Sequence, residues 1–187
     1  MRLRAKHLIF LAYFLAIFAL RKIGVFSFSW AFLRFSLRDS ISWFSGVFLG
    51  GYFIKLEQFA YVYYIHPDEI LSLDIKRLIQ EKRKKEVFWF LRERVSEQRL
   101  AFRSSLFQLV WLVLAFFTLT STTSVFGKAL VMAIGLHLLL DEWEDLLKGK
   151  SLYWLFWQIK REVTGEEQKR FVWLMTGVFG ILSLLLL

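Results

Sequence analysis

The sequence predicts an all-α protein: a polytopic membrane helix bundle of about five spans with a cytoplasmic helical arm. Three observations lead there. Of 187 residues, 57% are hydrophobic and 19% aromatic, against roughly 45–50% apolar in a soluble domain. The apolar residues gather in uncharged runs: 15 residues from Ser40 to Ile54, 24 from Ser104 to Gly127, 12 from Ala129 to Leu140 and 17 from Phe171 to Leu187. These runs are continuous rather than alternating, which favours spanning helices over strands. The net charge of +9 comes from 25 Lys+Arg against 16 Asp+Glu. In so apolar a chain it points to anionic lipid headgroups before nucleic acid. The composition excludes a disordered chain and argues against an ordinary soluble enzyme. Cysteine is absent, which excludes a disulfide framework, a thiolate metal site and a cysteine nucleophile.

One membrane domain is expected over residues 1–187. Within its first part, 1–39, Arg2, Arg4 and Lys6 precede the apolar stretch Leu8–Leu20. This has the look of a signal peptide, but no small-x-small site follows and Arg21-Lys22 come directly after. The expectation is a short span or interfacial helix over 7–20, then an amphipathic surface segment over 23–37. A span is predicted at 40–65, interrupted by Lys55 and Glu57. The arm follows at 66–103. Pro67 suits the first turn of a helix, where Asp68 and Glu69 complement the dipole. Leu71, Ile75 and Leu78, then Val87, Leu91 and Val95, recur at helical spacing, with a bend expected within Gln80–Lys85. Further spans are predicted at 104–121, 125–145 and 170–187, with an interfacial helix over Leu152–Val163 leading into the last.

Residues 66–103 hold ten Lys/Arg and residues 148–170 hold six, so both segments are expected on the cytoplasmic side. The uncharged Thr120–Ser124 turn then faces outward. Five spans put the basic residues 1–6 inside but leave Arg21, Lys22, Arg34 and Arg38 on the outer side. Four spans, with 7–20 not crossing, is the alternative. Lys82, Arg83, Lys84 and Lys85, with Trp154 and Trp157, are expected on a surface of anionic membrane lipid. Interleaved Glu81, Glu86, Glu93 and Glu97 argue against a nucleic-acid stripe, and no nucleic-acid partner is expected.

His137 and Asp141 stand four apart and share a helix face. Such a pair ligates one metal ion or forms a hydrogen-bonded pair. Equally, Asp141 marks the cytoplasmic end of a span. Ionisable groups within spans usually face the bundle interior and point to function. A second polar group is Lys55, Glu57 and Gln58, below the glycine pair Gly50-Gly51. With Arg103, His137 and Asp141 it falls in the cytoplasmic half of the membrane, where these side chains are expected to meet. His7 and His66 read as interfacial.

At these residues the chain resembles the inner-membrane predicted metal-dependent hydrolases, the LexA-binding inner-membrane hydrolase type. Gly127–Trp157 is similar to that family's closing motif, in which a small residue precedes His-Leu-Leu-x-Asp. Gly46–His66 is similar to its opening Gly-rich helix ending in Asp-x-Asp-His, and Leu100–Gln108 to its middle motif, in which a His precedes Ser/Thr. The resemblance spans about 40–187 and implies a divalent ion, zinc or similar, held at the positions of His137, Asp141 and Glu57, which would also be catalytic. Departures accompany it. Lys55 stands at the first Asp, Glu57 at the second, Gln58 at the His, and Arg103 at the middle His. Protonated Lys and Arg do not ligate metal. Lys55 and Arg103 are therefore expected to replace the metal's charge, pairing with Asp141 and Glu57 in a buried network, with no cofactor bound.

Three functions compete. The first is a non-catalytic, lipid-contacting scaffold with a degraded metal site. The second is an active metal-dependent hydrolase of lipid-linked or phosphoester substrates. The third is an ion or proton transporter. A bacterial cytoplasmic (inner) membrane is the expected location.

Overall fold

The computed structural model describes residues 3–23, 30–95 and 100–186, and all regular structure among them is helical. The elements are α1 (Leu3–Ile23), α2 (Trp30–Ala60), a π turn (Tyr61–Ile65), α3 (Ile70–Gln80), α4 (Lys84–Glu93), α5 (Ser105–Ser121), α6 (Val125–Leu147), α7 (Tyr153–Phe156) and α8 (Gly165–Leu186). The single domain expected over 1–187 divides into two compact units. One holds residues 1–51, 109–152 and 163–187, the other residues 52–108 and 153–162. Among the described residues, one helix, Gly165–Leu186, is by length and composition long and apolar enough to cross a membrane, and α5 is a shorter apolar helix.

Several boundaries differ from the sequence reading, each for a local reason. Helix α1 runs the whole of 3–23 rather than stopping at 7–20. Helix α2 begins at Trp30, inside the segment expected to lie on a surface; residues 24–29 of that segment lie outside the described residues. Pro67 ends a helix rather than starting one. A residue before proline is pushed out of the α region, and His66 has φ −130° and ψ 62°. The chain closes with an i→i+5 bond from the His66 amide to the Tyr61 carbonyl, 2.9 Å. Glu69 is then the extended N-cap of α3. The last helix starts at Gly165, not 170, because Thr164 and Glu167 form a reciprocal capping box. The Glu167 amide donates to Thr164 Oγ1 at 3.3 Å, and the Thr164 amide donates to Glu167 Oε2 at 2.9 Å. That exchange satisfies two otherwise orphaned donors. The interfacial helix expected over Leu152–Val163 is only the single turn α7.

In the first unit, α6 is the central helix, buried at Ala129, Met132, Ala133, Leu138 and Leu140 among others. Its neighbours run in alternating directions. Lys6 meets Asp141 and Phe10 meets His137, so α1 is antiparallel to α6. Phe18 and Phe14 contact Trp43, while Phe10 lies over Gly51, so α2 is antiparallel to α1. Helix α2 approaches α6 through glycines. A Cβ at Gly46 would stand 2.5 Å from the Phe126 carbonyl oxygen, and one at Gly50 2.5 Å from that of Leu130. Small residues four apart let two backbones meet, as at packed membrane helices. Trp111 of α5 covers Gly135, and Thr118 lies beside Gly127, so α5 is antiparallel to α6. Helix α8 packs on α6 through Trp143, whose Nε1 donates to Thr176 Oγ1 at 3.0 Å, and on α1 through Tyr13 and Ser183, 2.7 Å apart.

The buried Gln168 of α8 closes this unit. Its Nε2 donates to the Val163 carbonyl at 3.1 Å, and its Oε1 accepts from the Leu152 amide at 3.0 Å. Gln168→Leu leaves both backbone groups without that partner. We expect a loss of about 2–4 kcal/mol, read as a lower melting temperature in detergent.

In the second unit, α3 packs against both α4 and the π turn. Tyr61, Val62, Ile75, Leu78, Val87, Leu91, Val95 and Leu100 form one core. The arm is thus a helical hairpin with its own interior. Its bend lies at Glu81–Arg83, with Lys82 at φ +58°. The Arg83 amide bonds back to Leu78 O at 3.0 Å, the six-to-one closure that glycine usually makes. Lys82→Gly should stabilise the protein by about 1 kcal/mol, seen as a small rise in melting temperature. Hydrogen bonds from Arg83 and then Arg77 hold the Glu81 carboxyl below its usual range. This contact is complete above the unfolded-state value and is lost as pH falls through the folded one.

Candidate functional site

The expected constellation falls on both units, and each part has its own surroundings. In the first unit, His137 Nε2 stands 3.8 Å from Asp141 Oδ2, beyond hydrogen-bond reach. The Lys6 ammonium forms an ion pair with Asp141 Oδ1 and lies 3.6 Å from Glu144 Oε2. Lys148 Nζ completes the array, 2.8 Å from Glu144 Oε1. Lys6 and Glu144 are buried. Helix periodicity explains the α6 side: residues 137, 141, 144 and 148 recur every three or four positions and form one stripe. The antiparallel course of α1 then brings Lys6 against it. Lys6 is thus a cation on Asp141 that the sequence did not point to. Lys55 sits over the Tyr52 ring, 4.7 Å from its centroid.

In the second unit, Glu57 works as a backbone acceptor. The Phe102 amide donates to both its oxygens, at 2.9 and 3.0 Å. Arg103 follows Phe102 directly in the chain. Its guanidinium stacks over Trp154, 4.2 Å from the ring centroid. Ser104 Oγ accepts from the Phe107 amide at 3.2 Å and donates to the Ala101 carbonyl at 2.7 Å. The Arg103-Ser104-Ser105 segment, part of the stretch that resembles the family's middle motif, is the capped start of α5. Trp154, expected on a lipid surface, is buried beneath Arg103. Trp157 is partly exposed and donates from Nε1 to the Leu100 carbonyl at 3.2 Å. In the basic run, Arg83 is tied to Glu86 at 2.6 Å and Glu81 at 3.2 Å.

Among the described residues, no three His, Asp or Glu side chains group so as to hold a metal ion. His137 and Asp141 offer two donors, and a fixed ammonium already occupies Asp141. A divalent ion there would meet a like charge and lack a third ligand, whereas a catalytic site uses about three protein donors and an open position. Among the described residues, this pair with its ammonium does not make up the donor set of a catalytic metal. It fits a buried ion-pair network that joins α1 to α6.

Lys6, Glu144, Ser104 and Gln168 were not singled out in the sequence. Glu144 was visible as the next member of the 137–141 stripe. Lys6 was hidden because basic residues ahead of an apolar run read as a topology signal. Compared with protein-family models, with curated proteins and with solved structures, the chain matches none.

Proposed function

We propose that this chain is an integral membrane scaffold of five helical crossings, with a non-catalytic charge network where the resemblance would put a metal. One observation carries the reading: the first unit is apolar on its outside as well as in its core, while several ionisable or polar groups are buried. Apolar side chains face outward in stripes on four helices: Leu8, Leu11 and Leu15 on α1; Ile41, Phe44 and Phe48 on α2; Leu109, Val113 and Phe116 on α5; Trp173, Ile181 and Leu184 on α8. Lys6, Glu142, Glu144 and Gln168 are buried. Apolar patches of this extent are rare on soluble monomers. In a bilayer they face acyl chains, and the ionisable groups take the interior.

Helix α1 supports five crossings over four. At 21 residues it spans about 31 Å, enough for a hydrocarbon core of about 30 Å. It lies antiparallel to α6, so its Lys6 end shares the cytoplasmic side with Asp141. Arg21, on the opposite side by this topology, packs over Trp43, 5.4 Å from the ring centroid, which shelters a charge that the positive-inside rule disfavours there.

The absence of cysteine makes every introduced thiol a lone reporter. Thr123→Cys should react with an impermeant maleimide on intact cells, and Lys150→Cys only after permeabilisation. Equal labelling of both would overturn the topology. Metal analysis of the purified protein separates scaffold from hydrolase. No stoichiometric divalent ion is expected. About one per chain, lost in His137→Ala/Asp141→Ala, would overturn the scaffold and favour the hydrolase.

A further inference from the structure

The α3–α4 hairpin buries one side of α4 in its own core through Val87 and Leu91. The other side carries Phe88, 64% exposed, and Trp89, 53% exposed, with Lys84 and Lys85 exposed one turn earlier. Positions 84 and 88, and 85 and 89, are each four apart. Two cations and two aromatic rings thus form one contiguous patch. The basic run 82–85 divides by role. Lys82 is the left-handed residue of the turn and Arg83 is held by Glu81 and Glu86. Lys84 and Lys85 have no ion pair among the described residues.

We infer that this Lys84-Lys85-Phe88-Trp89 face of α4 docks on an anionic phospholipid surface, with both rings at headgroup level and both ammonium groups over lipid phosphates. Charge complementarity selects this occupant. The chain carries +9, and a cytoplasmic leaflet is negative. Aromatic rings beside lysines suit the boundary between headgroup and acyl chain. A nucleic acid is disfavoured, because its backbone is met by longer runs of cations, whereas two lysines beside two rings match the headgroup boundary. The hairpin's separate core is what frees this face: α4 does not need lipid to bury Val87 and Leu91, so the outward rings are surplus to folding.

The inference rests on the membrane reading, and the test keeps the two apart. The full-length protein bearing Phe88→Cys is labelled with an environment-sensitive fluorophore. It is reconstituted into vesicles of phosphatidylcholine alone or mixed with phosphatidylglycerol, each containing headgroup-level nitroxide lipid. Leu114→Cys on α5 serves as the bilayer control with a deep nitroxide, and the exposed Lys160→Cys as the water control. The label at 88 should be quenched at least about twofold more in anionic than in neutral vesicles, because the two lysines are attracted to the negative surface. Lys84→Gln/Lys85→Gln or high salt should remove the difference. Quenching at 88 no greater than at 160, or equal in both vesicles, would overturn the inference. A blue shift without nitroxide quenching would also overturn it, by placing protein rather than lipid on the face. If Leu114 itself escapes the deep nitroxide, the membrane reading fails first; if Leu114 is quenched and 88 is not, only the docking fails.

Discussion

Lys6→Met should be among the most damaging single changes in this protein, costing about 3–5 kcal/mol. The substitution keeps the length and removes the charge. Asp141 loses the ammonium paired with it, and Glu144 loses the nearby Lys6 charge while Lys148 stays. Most of the loss is the desolvation of a carboxylate whose counter-charge has gone, not the worth of the pair itself. It follows that Lys6→Met/Asp141→Leu should recover much of the stability, since a buried pair exchanged for apolar residues is often neutral. Detergent melting of the two single variants and the double gives the coupling directly. If Lys6→Met melts like the parent, or the double variant loses the sum of the singles, the network does not join α1 to α6.

Gly135→Ala should be comparably severe, at about 3–5 kcal/mol, the scale of losing a buried aromatic. A Cβ at 135 would stand 2.0 Å from a carbon of the Trp111 indole, which real contacts do not allow. Trp111 is itself buried, and its Nε1 donates to the Val131 carbonyl at 2.8 Å. Residue 131 is one turn before Gly135 on α6. The missing side chain therefore lets the indole lie on the helix and reach a carbonyl there. An added methyl forces the ring away and removes both the packing and the hydrogen bond. Trp111→Leu/Gly135→Ala should be less destabilised than the sum of the single variants, because a smaller residue at 111 makes room. Additive melting shifts would mean that Gly135 matters for a reason other than the indole. By contrast, Gly177 and Gly180 on α8 have nothing within 4 Å of a built Cβ, so alanine at either should be tolerated.

The sequence by itself determined that the protein is helical and where most helices lie. Uncharged runs and three-to-four spacing are local properties, and a helix depends on local bonding. The α3–α4 core residues could be read for the same reason, as could the shared face of His137 and Asp141. The capping box at Thr164 and Glu167 was present but outweighed by charges, which displaced the start of α8 by five residues, from 170 to 165. What surrounds each polar group was decided only in three dimensions. Nothing near Asp141 in the chain identifies Lys6 as its partner. That pairing requires α1 to run antiparallel against α6. Nor does the neighbourhood of Glu57 announce the Phe102 amide, or that of Trp154 the Arg103 guanidinium. Counter-charges and hydrogen-bond partners come from whichever helix packs alongside, and packing is a property of the whole chain.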